Sequence, residues 1–191
     1  MTKLRPLSAL LARLANRDGA AAVEFAILAP ILALVLAGAV DFGGVVFVKF
    51  GLDNTVSSAS NYAINGRASV NGTAGGTLAN TMGAILTNSG TSPINGSIIV
   101  NNGPRVTITN GATSAPAATA ANANSCYCPT LLGTAVAWGT SATCGSACAT
   151  GGKAGKFVAI EASRQYTPLF SDYGFIDDNK TVTVRAVVQT E

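Results

Sequence analysis

The sequence predicts an α+β protein with a long N-terminal helix that is first transmembrane and then amphipathic, a short second helix, and a small antiparallel sheet with a disulfide-bearing loop. Three patterns lead to this prediction. Residues 25–40 contain no charge, an apolar spacing of three or four residues continues to about Asn65, and the last apolar segments alternate with a period of two.

The composition leaves room for one membrane segment and one modest domain, because compact domains usually take about 100 to 200 residues and the chain has 191. Hydrophobic residues make up 48% of the chain and charged residues only 11%, and the mean hydropathy is +0.38. Since soluble domains carry about 25% charged residues, much of the surface is expected to face lipid, partner subunits, or water through small neutral side chains.

The net charge of +3 owes much to the start of the chain, where four of the twelve basic residues precede the apolar segment: Lys3, Arg5, Arg13 and Arg17. Binding to nucleic-acid phosphates needs clustered Lys and Arg, and no cluster follows residue 17, so no nucleic-acid partner is expected. Histidine is absent, which removes the commonest general base and the commonest metal ligand. We therefore expect no enzymatic activity, no cofactor and no metal.

The window 20–40 is long enough to cross a bilayer, which needs about 20 predominantly apolar helical residues, and Glu24 is its one ionisable group. The preceding basic residues predict a cytoplasmic N-terminus and a C-terminal domain across the membrane. There are two alternatives. The segment could be a cleaved signal peptide, since residues 41–44 loosely imitate the end of one, or an uncleaved signal anchor. Neither explains a carboxylate at the edge of the hydrocarbon, which costs on the order of a few kcal/mol.

The residues around Glu24 form a motif, in which Gly19 is followed by four small or apolar residues, Glu24, Phe25, and then Pro30 within a long apolar helix. This pattern resembles the TadE family of pseudopilins, in the tight-adherence (Tad/Flp) branch of the type IV pilins. The resemblance is specific over residues 17–44. Beyond them it rests on general architecture and on cysteines in a late loop.

The resemblance implies a processing site for a membrane-embedded prepilin peptidase. The cut falls between Gly19 and Ala20, where a residue without a side chain suits the extended form that a peptidase must bind. The chain is then divided into a cytoplasmic leader (1–19), a transmembrane helix (20–48) and an extracytoplasmic, pilin-like domain (49–191).

Cleavage would leave a free ammonium on Ala20, and Glu24 lies one helical turn away. The resemblance implies that Glu24, with Phe25 beside it, pairs with this amine or with that of a neighbouring subunit and so carries register information.

Pro30 removes one intrahelical hydrogen bond and is expected to bend the helix. Small residues, which are frequent in membrane helices and which also let helices approach closely, form a stripe: Ala22, Ala26, Ala29, Ala33, Ala37 and Gly44.

The helical pattern continues past the membrane, which predicts one helix from about Ala20 to about Asn65 with a length of roughly 70 Å. Gly66 is its expected C-cap. A turn through residues 75–76 then leads to a short second helix that is expected to end near Asn88.

The remaining apolar segments predict strands. Residues 94–100 and 105–109 are separated by a turn-type cluster, residues 101–104, which predicts a hairpin. Alternation around Val158 and Val184 predicts two further strands. A period of two favours an antiparallel sheet with one buried face, and this face is expected to pack on the outer half of the long helix.

All four cysteines lie in residues 110–155, a stretch that is too poor in bulky residues to offset its ordering entropy by burial. A zinc site is an alternative, but Cys-x-Cys is tighter than the usual ligand spacing, and thiols on the oxidising side of a membrane are more often disulfides. A bond within residues 126–128 would be strained, so pairing between two clusters is favoured with the connectivity left open: Cys126 and Cys128 with Cys144 and Cys148.

Other groups that could carry chemistry are few. Without histidine they reduce to Lys153 and Lys156, which lie close to glycines, and to an acidic cluster formed by Asp172 and residues 177–180. We interpret residues 177–180 as a solvated turn before the last strand. A calcium site in this cluster is the alternative, although the spacing matches no established loop.

Together with these patterns, the resemblance implies a minor pseudopilin that takes part in the assembly or initiation of a tight-adherence pilus, since the outer domain is far larger than that of a major Flp pilin. The expected partners are a prepilin peptidase, other pilins and pseudopilins, the inner-membrane assembly platform and the lipid bilayer. The expected location is the bacterial inner membrane, with the domain periplasmic or, in a pilus, extracellular. The alternative is an uncleaved, membrane-tethered periplasmic binding or sensory module.

Overall fold

The computed structural model describes residues 19–88, 93–117, 120–132, 135–170 and 180–191. Within these residues, a long helix and a short helix pack on one face of a five-stranded antiparallel sheet. A second, two-stranded sheet and two disulfides lie in the loop region between the hairpin and the late strands. The predicted α+β class with a disulfide-bearing region is therefore confirmed.

The long helix, α1 (Ala20–Asn65), has 46 residues and a length of about 69 Å, as predicted. Gly66 is its C-cap and donates its N–H to the carbonyl of Tyr62. Pro30 lies inside the helix without ending it. The buried residues of the helix all lie from Ala37 onward: Ala37, Asp41, Leu52, Thr55, Val56, Ala59, Ser60 and Ala63.

The short helix, α2 (Gly75–Asn88), begins at the two glycines that the sequence predicted as a turn. The helix starts early because Asn71 caps it. The side-chain oxygen of Asn71 accepts hydrogen bonds from the N–H groups of Thr73 and Ala74 at 2.9 and 2.8 Å. The backbone carbonyl of Asn71 accepts one from the N–H of Gly75 at 2.9 Å. These bonds satisfy donors that a helix N-terminus otherwise leaves free.

The predicted hairpin is confirmed as β1 (Asn95–Val100) and β2 (Arg105–Thr109), which pair antiparallel. In its turn, Asn101 and Asn102 have positive φ angles of 47° and 57°. Asparagine tolerates this left-handed conformation better than most residues, which explains the turn-type composition. The later strands are β3 (Ala112–Thr113), β4 (Thr130–Leu132), β5 (Ala135–Ala137), β6 (Phe157–Tyr166) and β7 (Lys180–Gln189).

The main sheet has the strand order β3-β2-β1-β6-β7, and neighbouring strands are antiparallel throughout. Its register aligns Ile98 with Ile160 and Ile160 with Ala186, so apolar residues of three strands share one face. That face contacts both helices, with Leu52 of α1 and Met82 of α2 in the core. The prediction that the alternating strands bury one face on the outer half of α1 is confirmed.

Asn101 connects the hairpin to the low-complexity region. It is fully buried, and its amide nitrogen donates to the carbonyls of Ala123 and Ser125 at 3.0 and 2.6 Å. Its side-chain oxygen accepts the N–H of Phe157 at 3.1 Å. One buried side chain therefore joins the turn, the start of the cysteine-bearing loop and the start of β6.

The cysteines pair between the two clusters, as predicted, and the structure supplies the connectivity that the sequence left open. Cys126 bonds to Cys144 and Cys128 bonds to Cys148, with Cα separations of 5.1 and 5.7 Å. Because all four sulfurs are in disulfides, the alternative zinc interpretation is wrong. Cys126 is buried, and Tyr127 beside it packs edge-to-face on Trp138 with ring centroids 6.0 Å apart.

The two disulfides are expected to differ in their contribution to stability. A disulfide that closes a loop as long as the stretch between Cys128 and Cys148 contributes roughly 3 kcal/mol. Replacing both cysteines by Ser should therefore lower the free energy of unfolding by about that amount. Replacing Cys126 and Cys144 should cost more, because Cys126 is buried and a smaller side chain leaves a cavity. Urea unfolding followed through the fluorescence of Trp138, the single tryptophan, measures both. Equal losses, or a Cys126–Cys148 link found by peptide mapping, would contradict this prediction.

Candidate functional site

The predicted processing site lies at the boundary of α1. Gly19 is the N-cap, with φ −92° and ψ −6°, and Ala20 is the first helical residue. Gly19 is exposed, and a Cβ atom added to it would meet no described atom within 4 Å. The fold therefore supplies no steric reason for a glycine at this position.

The motif residues that follow are exposed on the first turns of α1. Glu24 lies four residues after Ala20, on the same helix face, and both are exposed. Phe25 is 66% exposed. The nitrogen of Ala20 belongs to a peptide bond in the uncut chain, so its pairing with Glu24 stays a prediction.

The first half of α1 presents an apolar surface on all sides. Among the described residues, α1 is the one helix long and apolar enough to cross a membrane, and its best 18-residue window has a mean hydropathy of 2.4 with 11% of its residues buried. This indicates a single-pass membrane anchor, as predicted. The exposed large side chains of the segment are Val23, Phe25, Ile27, Leu28, Ile31, Leu32, Leu34, Val35, Leu36 and Val40.

The predicted stripe of small residues divides into two parts. Ala26 and Ala33 are exposed on the apolar half of α1, whereas Ala37 is buried. Gly44 lies against Tyr166 of β6, and a Cβ atom at Gly44 would overlap the Tyr166 hydroxyl. Gly44 therefore has a contact within the chain itself, and its predicted role in packing between membrane helices stays a prediction.

Asp41 is the residue whose importance sequence analysis missed, because it was considered only as an interruption of the apolar run. Its side chain is fully buried. One carboxylate oxygen accepts the N–H of Leu169 at 2.8 Å, and the other accepts the N–H of Phe170 at 3.1 Å. The available signal was a lone carboxylate inside an apolar helix, which is retained where something compensates for its cost.

Tyr166 completes this contact, which we call the Asp41 clamp: Asp41, Gly44, Tyr166, Leu169 and Phe170. The Tyr166 hydroxyl donates to the backbone carbonyl of Asp41 at 3.1 Å. Burial, and secondly the charge of the Asp41 carboxylate, raise the pKa of the Tyr166 phenol. The hydrogen bond from the Tyr166 hydroxyl thus holds the end of β6 on α1.

The clamp also bears on the alternative of a cleaved signal peptide. Residues 41–44, which imitate the end of such a peptide, lie in the interior of the continuous helix α1. Asp41 and Gly44 both contact the sheet there. Cleavage after residue 40 would separate the first half of α1 from the half that carries the sheet, so the described fold does not favour a secreted product.

A cleft of about 550 Å³ lies on the face of the sheet opposite the helices. Its apolar wall includes Leu131 and Trp138, and Arg105 contributes a cationic group. On its floor, the Arg185 guanidinium donates to the Glu161 carboxylate at 2.7 Å. This pair is partly exposed, so it contributes little to stability.

The other groups considered for chemistry are not brought together by the described structure. Lys156 forms an ion pair with the side chain of Glu191 at 2.9 Å, whereas Lys153 joins a short backbone bridge with Ala147. Asp172 and most of the 177–180 cluster lie outside the described residues, so the predicted solvated turn is not tested.

The fold and the clamp together define a class of protein: an α+β domain carried on the second half of a single helix whose first half is a membrane anchor. Within this class, residues 19–60 match the family model described as TadE-like protein. The match confirms the resemblance inferred from the Gly19–Glu24–Phe25 motif over this N-terminal part of the chain. No curated protein and no solved structure gives a significant match.

The Asp41 clamp predicts different effects for two adjacent glycines. Gly44→Ala should free the end of β6, because the new methyl group occupies the position of the Tyr166 hydroxyl, and such overpacking costs about 1–3 kcal/mol. Gly43→Ala is the matched control, since a Cβ there meets no described atom within 4 Å. Hydrogen exchange of the Leu169 and Phe170 amides measures the effect.

Asp41→Asn should also accelerate this exchange, because an amide offers one acceptor oxygen where the carboxylate offers two. Protection that stays equal in the Gly44→Ala, Asp41→Asn and Gly43→Ala proteins would show that the clamp does not hold the loop.

Proposed function

We propose that this chain is a minor pseudopilin that takes part in the assembly or initiation of a tight-adherence pilus, after a prepilin peptidase cuts between Gly19 and Ala20. One observation carries the proposal. The TadE-like match begins at Gly19, a glycine that the fold does not require and that directly precedes the first residue of α1. A glycine without an internal role points to an external requirement, such as the active site of a peptidase.

The chemistry of the cut end supports the same role. After cleavage a free ammonium would stand at the N-terminus of α1, where the helix macrodipole is itself positive and disfavours a cation. A carboxylate partner offsets this cost, and Glu24 is exposed one turn away. Because the Glu24 side chain projects outward, it can also pair with the amine of an adjacent subunit in a filament.

The compartment follows from the cysteines and the basic N-terminus. Two disulfides persist in oxidising environments, which supports a sheet domain outside the cytoplasm. The four basic residues before α1 support a cytoplasmic N-terminus. We therefore propose a single-pass protein of the bacterial inner membrane with a structural, non-enzymatic role, in contact with other pilins and the assembly platform.

An uncleaved, membrane-tethered binding module is the second candidate, and the cleft beside Trp138 is the observation that favours it. A binding module needs the cleft and the anchor but has no use for a free amine at Ala20. Processing at Gly19 therefore separates the two candidates.

We expect coexpression with the cognate prepilin peptidase to give a mature protein that starts at Ala20, as measured by N-terminal mass analysis. Gly19→Leu should block the cut and leave the fold unchanged, because no described atom lies near the added side chain. Gly43→Ala, which alters a glycine inside α1, should be cut normally. An intact Met1 in the wild-type product supports the tethered binding module, and a start after residue 40 supports a secreted protein.

Glu24→Ala should leave membrane insertion intact and impair pilus assembly, because the variant lacks the carboxylate that is proposed to pair with the Ala20 amine of the same or a neighbouring subunit. Glu24→Gln is the matched control for shape, and it should be impaired as well because the charge is lost. Filament counts by electron microscopy, in a strain that depends on this chain, give the readout. Normal filaments with Glu24→Ala would exclude the pairing role.

A further inference from the structure

We propose that the cleft on the face of the sheet opposite the helices is a binding site for an acidic sugar, such as a uronic-acid unit of a polysaccharide. Three features recognise this ligand: an apolar wall, a polar floor and one unpaired arginine. The inference goes beyond the pilus role. It does not depend on processing at Gly19, because every residue that lines the cleft lies in the sheet domain.

The first feature is a wall that the disulfides hold over the sheet. Leu131 and Trp138 line the cleft and lie within the loop that both disulfides close. Tyr127 is buried, forms two backbone hydrogen bonds with Gly155 just before β6, and packs edge-to-face on Trp138. A wall that is already fixed loses little freedom when a ligand binds, and such preorganisation favours affinity.

This wall leaves open space above the sheet. The cleft has a volume of about 550 Å³, which lies within the range of about 300–1,000 Å³ that is typical of small-molecule sites. Leu131 is 65% exposed, and Trp138 is half-buried. Protein interiors are normally packed without such voids, so a rigid apolar wall that faces open space indicates a surface for a ligand.

The second feature is the polar floor. The strand register aligns Ser97 with Glu161 and Glu161 with Arg185, so these polar side chains form one row across the sheet. The bond between Arg185 and Glu161 uses one guanidinium nitrogen and one carboxylate oxygen. The remaining N–H groups and the second oxygen bond to no described residue. The row therefore suits hydroxyl groups, which both donate and accept hydrogen bonds.

The third feature is Arg105. The register places it beside Ile99, in the row next to the polar one, and two backbone hydrogen bonds with Ala117 fix it there. Its exposed side chain forms no ion pair or hydrogen bond with a described residue. Because Glu161 and Arg185 pair with each other, Arg105 gives the cleft one uncompensated positive charge. A planar guanidinium matches a carboxylate through two parallel hydrogen bonds.

An acidic sugar is the class of ligand that uses all three features. Its C–H groups suit the apolar wall, its hydroxyl groups suit the polar floor, and its carboxylate suits Arg105. An aliphatic acid would cover the polar row without bonding to it, which costs free energy. A phosphate or sulfate ion would leave the wall uncovered, and a neutral sugar would leave Arg105 without a partner.

The test uses the full chain, with both disulfides intact, in phosphatidylcholine bicelles. The probes are the trimers of galacturonic, glucuronic and mannuronic acid, and each is compared with its methyl ester, which keeps the rings and loses the charges. Trp138 is the single tryptophan and lines the cleft, so its emission reports occupation directly. Isothermal titration calorimetry gives the affinity.

Three variants test the role of the unpaired arginine. Arg105→Ala removes the proposed partner of the carboxylate, and Arg105→Lys keeps the charge without the planar guanidinium. Arg67→Ala is the matched control, because Arg67 is also exposed but does not line the cleft. Disulfide mapping confirms that each variant is folded.

We expect at least one of the three acids to change the emission of Trp138, and its methyl ester to bind about tenfold more weakly, because a hydrogen-bonded charge pair contributes roughly this factor. Arg105→Ala should lose the same factor with the acid and nothing with the ester. Arg105→Lys should lose less, and Arg67→Ala should bind like the wild type.

Three results would overturn the proposal. The first is that none of the three acids binds. The second is that acid and ester bind equally, or that Arg105→Ala binds the acid as well as Arg67→Ala does, because Arg105 would then not recognise a carboxylate. The third is that hexanoate binds as tightly as the best trimer, because the site would then accept an apolar acid rather than a sugar.

Discussion

A single continuous helix contacts two apolar environments, lipid and the core beneath the sheet. The arrangement of the rest of the molecule depends on the point at which α1 passes from one to the other. The first half of α1 is exposed and suited to lipid, and the second half is buried beneath a sheet. The change takes place around Asp41, whose carboxylate binds the end of β6. Because α1 is continuous through this point, the contact at Asp41 sets where along the helix the sheet begins to cover it.

A second constraint orders a region that cannot order itself by hydrophobic burial. The cysteine-bearing loop is rich in small polar residues, so its ordering entropy is compensated by other means. The disulfides restrict it covalently, and Asn101 fastens it to the hairpin turn and to β6. The loop region and the outer face of the sheet then enclose a cleft, on the side away from the helices.

Much of the fold could be predicted because it is encoded locally. The spacing of apolar residues gave both ends of α1, and the alternation in the late segments gave β6, β7 and the face that they bury. The processing motif could also be recognised from the sequence, since Gly19, Glu24 and Phe25 lie within seven residues. The short strands β3, β4 and β5 were not predicted, because two or three residues carry no usable periodicity and pairing with distant segments decides their conformation.

By itself, the sequence determined the class of fold, the anchor, the likeness to TadE proteins and the pairing of cysteines between two clusters. Each of these depends on residue type and on spacing over a few turns of chain. Only the tertiary structure decided which cysteine pairs with which, that Gly44 faces Tyr166, and that Asp41 binds two amides 128 and 129 residues away in sequence. Such contacts leave no local pattern, because backbone N–H groups are common to nearly all residues and the fold alone selects the two that reach the carboxylate.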